Sequence, residues 1–238
     1  MPIDFNQPLN PQYDEQTAEM IRRVLPKDGC GVDIGAHAGD ILQHMLSVAS
    51  EGIVYGFEPI PALAEGLRMQ FPDAKIFEVA LSNTTGTGTF KHVVNAQAYS
   101  GLQRRDYDRP DVIVNDIEVQ IRRLDEVIGE TQKVDIIKLD IEGGEYSALE
   151  GAENVITRSR PHIIFEASVR STGRYGVEPK EFYALLTKKY GLHLTTMDRW
   201  LDGVEPITPD EFAKFWHEGP HFYFLASPLA TAVNAAAA

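Results

Sequence analysis

The sequence predicts an α/β fold, one doubly wound sheet of mostly parallel strands with helices packed on both faces. Three observations point to it. Apolar, strand-like runs alternate with helix-period segments through most of residues 30–226. Two of those runs end on a carboxylate, Glu58 and Glu166. Ahead of both, Val32-Asp33-Ile34-Gly35-Ala36-His37-Ala38-Gly39-Asp40 has the form of a strand, a glycine turn and a helix start. The 238 residues, 43% of them hydrophobic, suffice for the core of one such domain with a long insertion or a small lid.

The elements follow in order. An extended arm (residues 1–10) precedes a helix over 13–25, where Ala18, Ile21, Val24 and Leu25 keep helical spacing and Pro26 ends it. Together these form an N-terminal unit, residues 1–29, ahead of the main domain, residues 30–229. The first strand covers 31–34, and a helix over 37–50 turns Ile41, Leu42, Met45 and Val48 inward. The second strand covers 53–57. Pro61 opens the next helix at a first-turn position, where its missing amide costs nothing. Residues 76–81 make the third strand. A turn at 83–88 then leads to a strand over 89–94 outside the parallel order. Residues 95–115 read as a loop over the site, followed by a strand at 119–121 and a short helix at 124–126. A buried strand, 134–139, runs into a glycine turn and a helix. Further strands fall at 162–166, 192–197 and 221–226, with a helix at 179–190 and a loop with a short helix between 198 and 219. Residues 230–238 read as a disordered tail.

The glycine turn and Glu58 stand one βαβ unit apart, which brings them side by side at the carboxyl edge of the sheet. A nucleoside ligand fits there, its hydroxyls on Glu58-Pro59 and its polar end over Gly35, Ala36, His37 and Gly39. A dinucleotide binder usually reads G-x-G-x-x-G, leaving bare amides for two phosphates. Here Asp33 precedes the turn instead, repelling a diphosphate but suited to accept from an ammonium group. S-adenosylmethionine offers that ammonium, a ribose and no phosphate. An ordinary tight turn in a doubly wound domain is the plain alternative.

A second constellation interrupts the buried strand. A parallel strand covered on both faces should be apolar, yet Lys138 and Asp140 break Ile136-Ile137-Lys138-Leu139-Asp140. Two residues apart, they share a face. Lys138 reads as a structural ion pair with a neighbouring strand, and Asp140, at the carboxyl end, as a ligand contact. Glu142 stands beside it at the mouth, whereas the first-turn position of Glu145 is accounted for by the helix dipole alone. Glu166 ends the next strand, and His221 begins a last strand expected to run antiparallel. Asp140, Glu166 and His221 therefore converge on paper. Removing a hydroxyl proton requires a general base or a divalent metal, and these three side chains suit either role. We favour the base without a metal.

Composition narrows the partners. A formal charge of −13, from 35 acids against 22 bases, disfavours nucleic acid, whose phosphates are bound by clustered Lys and Arg. The lone cysteine, Cys30, heads the first strand and reads as a buried structural thiol. No basic and apolar leader and no membrane-length apolar run is present, so the expectation is a cytoplasmic protein without a membrane partner. Nothing in the chain addresses oligomeric state.

Together these residues resemble the FkbM family of S-adenosylmethionine-dependent methyltransferases. The likeness rests on Val32-Asp33-Ile34-Gly35-Ala36-His37-Ala38-Gly39, Phe57-Glu58-Pro59, Val79-Ala80-Leu81-Ser82-Asn83 with Gly86, Leu124-Asp125, and the run from Ile137 through Asp140-Ile141-Glu142-Gly143-Gly144-Glu145 to Ala152. The resemblance implies a Rossmann-like, seven-stranded class I methyltransferase fold whose last strand is antiparallel. It implies O-methylation of a small-molecule hydroxyl, often on a sugar or natural product. It further implies that Asp33, Gly35 and Gly39 surround the methionine part, Glu58 binds the ribose, Ala80 and Leu81 flank the adenine, and Asp140 faces donor and acceptor. The family commonly carries Asn where this chain has His37. Residues 95–118 and 198–219 match no motif and are the expected acceptor-side loops. Two rival functions remain at this level, a nicotinamide-dependent reductase and a catalytically silent donor-binding module.

Overall fold

The computed structural model describes residues 3, 9–104, 107 and 111–232. Most of the predicted arm and of the tail, and part of the 95–118 loop, lie outside the described residues. Helix α1 (Leu9–Val24) begins four residues before the predicted start and precedes β1 (Cys30–Ile34), whose five residues are all buried. Gly39, in the left-handed region at φ 89°, caps α2 (Asp40–Val48). Strand β2 (Ile53–Phe57) and helix α3 (Pro61–Gln70), with Pro61 in its first turn, complete the first βαβ unit.

The predicted third strand divides in two. β3 (Lys75–Phe77) pairs with β2, whereas β4 (Ala80–Leu81) leaves to join a second sheet. That sheet has the order β4-β6-β5, its body being the antiparallel ribbon of β5 (Gly86–Val93) and β6 (Val114–Arg122). β6 is far longer than the three residues read from sequence. Its polar, alternating run Asn115-Asp116-Ile117-Glu118 has one solvated side and so lacks the apolar signature of a central strand.

The chain then returns through α4 (Leu124–Val127), β7 (Ile136–Leu139), α5 (Glu145–Glu150), α6 (Glu153–Ser159) and β8 (His162–Glu166). A helix α7 (Pro179–Ala184), continued by a π turn at Leu185–Lys189, precedes β9 (His193–Thr195), α8 (Met197–Leu201), α9 (Pro209–Glu218) and β10 (Tyr223–Ser227). The main sheet has seven strands in the order β3-β2-β1-β7-β8-β10-β9. β10 is antiparallel to both β8 and β9, the remaining ladders being parallel. This is the class I methyltransferase topology. The segment taken for a loop at 198–219 is mostly helical, in α8 and α9.

Successive residues of each strand feed opposite core layers. Val32, Phe57, Leu139, Phe165 and Phe224 pack with Phe182, Phe212 and Trp216 on one side. Val54, Ile136, Ile164 and Leu225 pack with Met20, Ile21, Leu42, Met45 and Trp200 of α1, α2 and α8 on the other. Trp200 and Trp216 are therefore core. Cys30 is buried, and burial pushes its thiol up to about 12. The strand order reverses between β1 and β7, and a ligand crevice opens beyond their carboxyl ends.

Candidate active site

At that switch point the glycine turn folds against the next strand. A Cβ on Gly35 would lie 2.0 Å from the carbonyl oxygen of Asp140, and the residue holds φ +85°. Only glycine serves where β1 passes the end of β7 so closely. The Gly35 and Ala36 amides both donate to the Phe57 carbonyl, at 2.9 and 3.1 Å. His37 follows at φ 45°, a strained conformation for a non-glycine residue. Its amide donates to Glu58 Oε2 at 3.0 Å, and the Ile60 amide to Oε1 at 2.9 Å. Burial raises the Glu58 carboxyl above its usual range, against the pull of those two amides.

These groups wall a cleft of about 620 Å³. Gly35, His37, Glu58, Pro59, Asp140 and Glu142 line it, and Val79, Ala80, Leu81 and Phe90 add apolar surface. Gln97, Ala98, Ser100 and Leu102, from the predicted site loop, also line it. Tyr175 Oη accepts from the Gln103 amide at 3.1 Å, tying that loop to the segment after β8. The arrangement suits S-adenosylmethionine: a carboxylate for ribose hydroxyls, an apolar side for the base, and carboxylates at the sulfonium end.

Asp33, Ala36 and Gly39 are not on the cleft wall. Strand alternation sends Asp33 to the face covered by α1 and α2, opposite Ile34. It is 1% exposed, and among the described residues neither of its oxygens has a hydrogen-bond partner. Burial, opposed by Lys138, lifts its carboxyl to about 7. Ala36 is buried in the α1–α2 layer. Gly39 is required by packing, since its Cβ would meet the Phe71 ring at 2.3 Å.

Beyond β7, Asp140 is held from two sides. Lys138 Nζ lies 2.9 Å from its Oδ2, so the pair forms within one strand, with Asp33 acting on Lys138 from β1. The Tyr223 hydroxyl donates to the same oxygen. Burial would raise the Asp140 carboxyl, but Lys138, Tyr223 and a hydrogen bond with Glu166 outweigh it and hold it below the ordinary range. Tyr223 is driven well above the usual tyrosine range by burial and by Asp140 and Glu166. Tyr223 was not foreseen, yet its register opposite Glu166 in the β10–β8 ladder is the signal that places it there.

The turn after Asp140 is built by Glu145, the first residue of α5, which is fully buried. Its Oε1 accepts from the Ile141 and Gly143 amides at 3.0 and 3.1 Å, and its Oε2 from Thr172 Oγ1 at 3.0 Å. Burial raises its carboxyl to about 7. The turn presents Glu142 at φ 61°. One oxygen each of Asp140, Glu142 and Glu166 lie within 4.8 Å of one another.

Of the expected trio, Asp140 and Glu166 come together with Glu142, whereas His221 stands outside this cluster. β10 starts only at Tyr223, so His221 precedes the strand. His221 Nδ1 lies 3.4 Å from Tyr13 Oη of α1, and its ring packs edge-on to Phe215 at 4.9 Å. Burial lowers its pKa, with Asp198 opposing. It lines a second cleft, which also includes Glu166. Three oxygen donors suit a hard divalent cation, and the Lys138 ammonium stands on Oδ2 of one of these carboxylates, Asp140.

A family model described as the methyltransferase FkbM domain matches residues 33–194. The chain is 26% identical over 148 residues to the 2-O-methyltransferase NoeI of Sinorhizobium fredii (strain NBRC 101917 / NGR234), covering 54% of this chain. It spans only 59% of the length of that relative. Methyltransferase FkbM from Methylobacillus flagellatus KT superimposes with a TM-score of 0.50 at 16% identity, over 85% of this chain and 44% of that one. At that identity the likeness concerns the fold. A Methanococcus jannaschii fibrillarin pre-rRNA processing protein aligns at TM-score 0.47 and 16% identity, over 92% of this chain and 76% of that one.

Proposed function

We propose, for a chain that belongs to the FkbM methyltransferase family and is an S-adenosylmethionine-dependent methyltransferase, that it methylates a hydroxyl of a small molecule. The observation that carries this reading is the carboxylate trio Asp140, Glu142 and Glu166 at the end of the cleft. A hydroxyl must lose its proton as it attacks, and a carboxylate at hydrogen-bond reach can take it. The acceptor oxygen attacks the sulfonium methyl, the C–O bond forms as the C–S bond breaks, and the thioether departs. Much of the rate comes from holding the two centres aligned.

In this reading Glu58 and Pro59 hold the ribose, and Ala80 and Leu81 flank the adenine. Gly35 and His37 meet the methionine end through their backbone. Asp140, fixed by Lys138 and Tyr223, positions the reacting groups, and a carboxylate of the trio accepts the proton. The ammonium of Lys138 beside Asp140 supports transfer without a metal. The net charge of −13 supports a small-molecule acceptor over nucleic acid. The NoeI match, a 2-O-methyltransferase, supports oxygen as the methylated atom. No helix among the described residues is long and apolar enough to cross a membrane.

The test is transfer of a labelled methyl group from S-adenosylmethionine to a panel of alcohols, amines and thiols, with and without a chelator. Methylation of oxygen that survives chelation is the expected outcome. Methylation of nitrogen or sulfur in preference overturns the hydroxyl assignment, and abolition by the chelator overturns the metal-free one.

A further inference from the structure

We propose that Tyr175 is a positioning residue for the donor: its hydroxyl latches residues 97–103 beside the first cleft, and the donor enters and leaves only when that bond opens. The proposal rests on the reading that this cleft takes S-adenosylmethionine. Sequence puts residues 95–118 among the acceptor-side loops. In the structure Gln97, Ala98, Ser100 and Leu102 instead line the cleft that Gly35, Glu58 and Asp140 also line.

The segment is a strap fastened to two different sheets. On the ribbon side, Ser100 Oγ accepts from the Val93 amide at 2.9 Å. Gly101 exchanges two backbone bonds with Lys91 of β5, at 2.8 and 3.3 Å. Leu102 packs against the cluster of Ile60, Ala80 and Phe90. The next residue, Gln103, gives its amide to Tyr175 Oη at 3.1 Å. Tyr175 belongs to the segment that follows β8 of the main sheet. The strap thus runs from the β5–β6 ribbon to the main sheet, along the cleft that its own residues line.

The two fastenings differ in kind. The Val93–Ser100 bond is buried, whereas the Gln103–Tyr175 bond is exposed, and exposed bonds with little packing around them open first. Tyr175 itself is a fixed post. Thr172, in the same short turn, donates to the buried Glu145 at 3.0 Å. The Tyr175 ring also lies so close to Gly143 that a Cβ there would meet it at 2.6 Å. A rigid post and a strap that can be let go make a gate. Each fastening joins one protein group to another, so the same latch opposes entry and exit alike. A Cβ on Gly101 would lie 3.5 Å from the Glu142 Cβ, so the closed strap also stands beside the carboxylate trio.

The experiment measures entry and exit rates of S-adenosylhomocysteine on the full chain by surface plasmon resonance, for wild type, Tyr175→Phe and Ser100→Ala. Thermal melting of each free protein runs alongside. Tyr175→Phe keeps the ring on Gly143 and loses only the latch oxygen. It should raise both rates together by about three- to ten-fold, the worth of one hydrogen bond, with the dissociation constant within about two-fold. Its melting midpoint should stay within about 2 °C of wild type, because a strap opens locally. Ser100→Ala, which frees the strap at its other fastening, should move both rates in the same direction. A faster exit with unchanged entry in Tyr175→Phe means that the hydroxyl touches the donor directly, and overturns the gate. Unchanged rates in both variants overturn it as well, and leave the methyltransferase reading standing. Failure of wild type to bind S-adenosylhomocysteine overturns the donor reading, and this proposal with it.

Discussion

Replacing Asp33 by Asn removes a buried charge, and the structure dictates how the effect depends on pH. Asp33 is 1% exposed, and its oxygens find no hydrogen-bond partner among the described residues. Burial, opposed by Lys138 and assisted by Asp140, Glu58 and Asp40, lifts its carboxyl from 3.8 to about 7. The folded state therefore holds this proton more tightly than the unfolded chain does. Stability from this site is complete below the unfolded value and is lost as pH rises to about 7. At about 1.4 kcal/mol per pH unit the whole shift corresponds to about 4 kcal/mol. About 3 kcal/mol of it falls between about pH 5 and about pH 8.5. Asn is close in size and carries no charge, so Asp33→Asn lacks this decline. Its own unpartnered amide costs about 1–3 kcal/mol at every pH, which moves the baseline and leaves the slope alone. Urea unfolding of both proteins across that range should show the variant gaining about 3 kcal/mol on wild type. With a slope of about 3 kcal/mol per molar, the midpoints separate by about 1 M more at the alkaline end. A difference that is flat in pH, or that shrinks as pH rises, refutes the assignment of a buried, unpartnered carboxyl.

Three further outcomes follow from the same geometry. Glu58→Ala removes the acceptor of two amides and the proposed ribose contact, and should weaken S-adenosylhomocysteine by about 10–100-fold in calorimetry. Tyr223→Phe deletes one of the two bonds that hold Asp140 Oδ2. It should lower turnover about 10–100-fold with donor-product affinity within about two-fold, measured on an acceptor from the labelled-methyl screen. His162, packed edge-on to Trp200 at 5.6 Å, is pushed down to about 4 by burial, with Asp135 opposing. Its contribution to stability is complete above the unfolded value of 6.5 and is lost as pH falls to about 4. His162→Phe should therefore gain up to about 3 kcal/mol on wild type over that interval in urea melts, and equal slopes for the two proteins would contradict it.

Much of the sheet was legible because it obeys local rules. The runs 30–34, 53–57, 136–139 and 162–166 are short, apolar and bounded by turn residues, and each is a strand within a residue or two of its expected place. The meeting of the glycine turn with Glu58 was legible for the same reason: a glycine turn and a carboxylate one βαβ unit apart have few arrangements. What escaped depends on contacts between distant segments. Nothing local announces that Ala80 and Leu81 leave the main sheet for β6, because two residues carry no period. His221 was brought into the trio by assuming that the last strand began there. Two residues of error at a strand start move a side chain past the neighbouring strand's end, and Tyr223 takes the place opposite Glu166. Asp33 shows a different effect: its strand is where the sequence puts it, and the pleat turns its side chain to the far face of the sheet from Ile34.

The residues that break local rules gather at one place. Among the described residues, His37 and Glu142 are two of the three non-glycine residues with positive φ, and both line the cleft beside Glu58. Each is imposed from outside its own residue. The His37 amide is fixed on Glu58 at 3.0 Å, and the turn carrying Glu142 is fixed by the amides of Ile141 and Gly143 on Glu145. Such conformations cost of order 1–3 kcal/mol and persist only where the surroundings over-determine them. Glu145 is buried to provide that constraint, and so bears a carboxyl raised to about 7. Removing Glu145 would let the turn relax toward ordinary angles, and Glu142 would swing away from Asp140 and Glu166. The buried acid that sequence assigns to a helix end is thus the part of the structure on which the carboxylate trio depends.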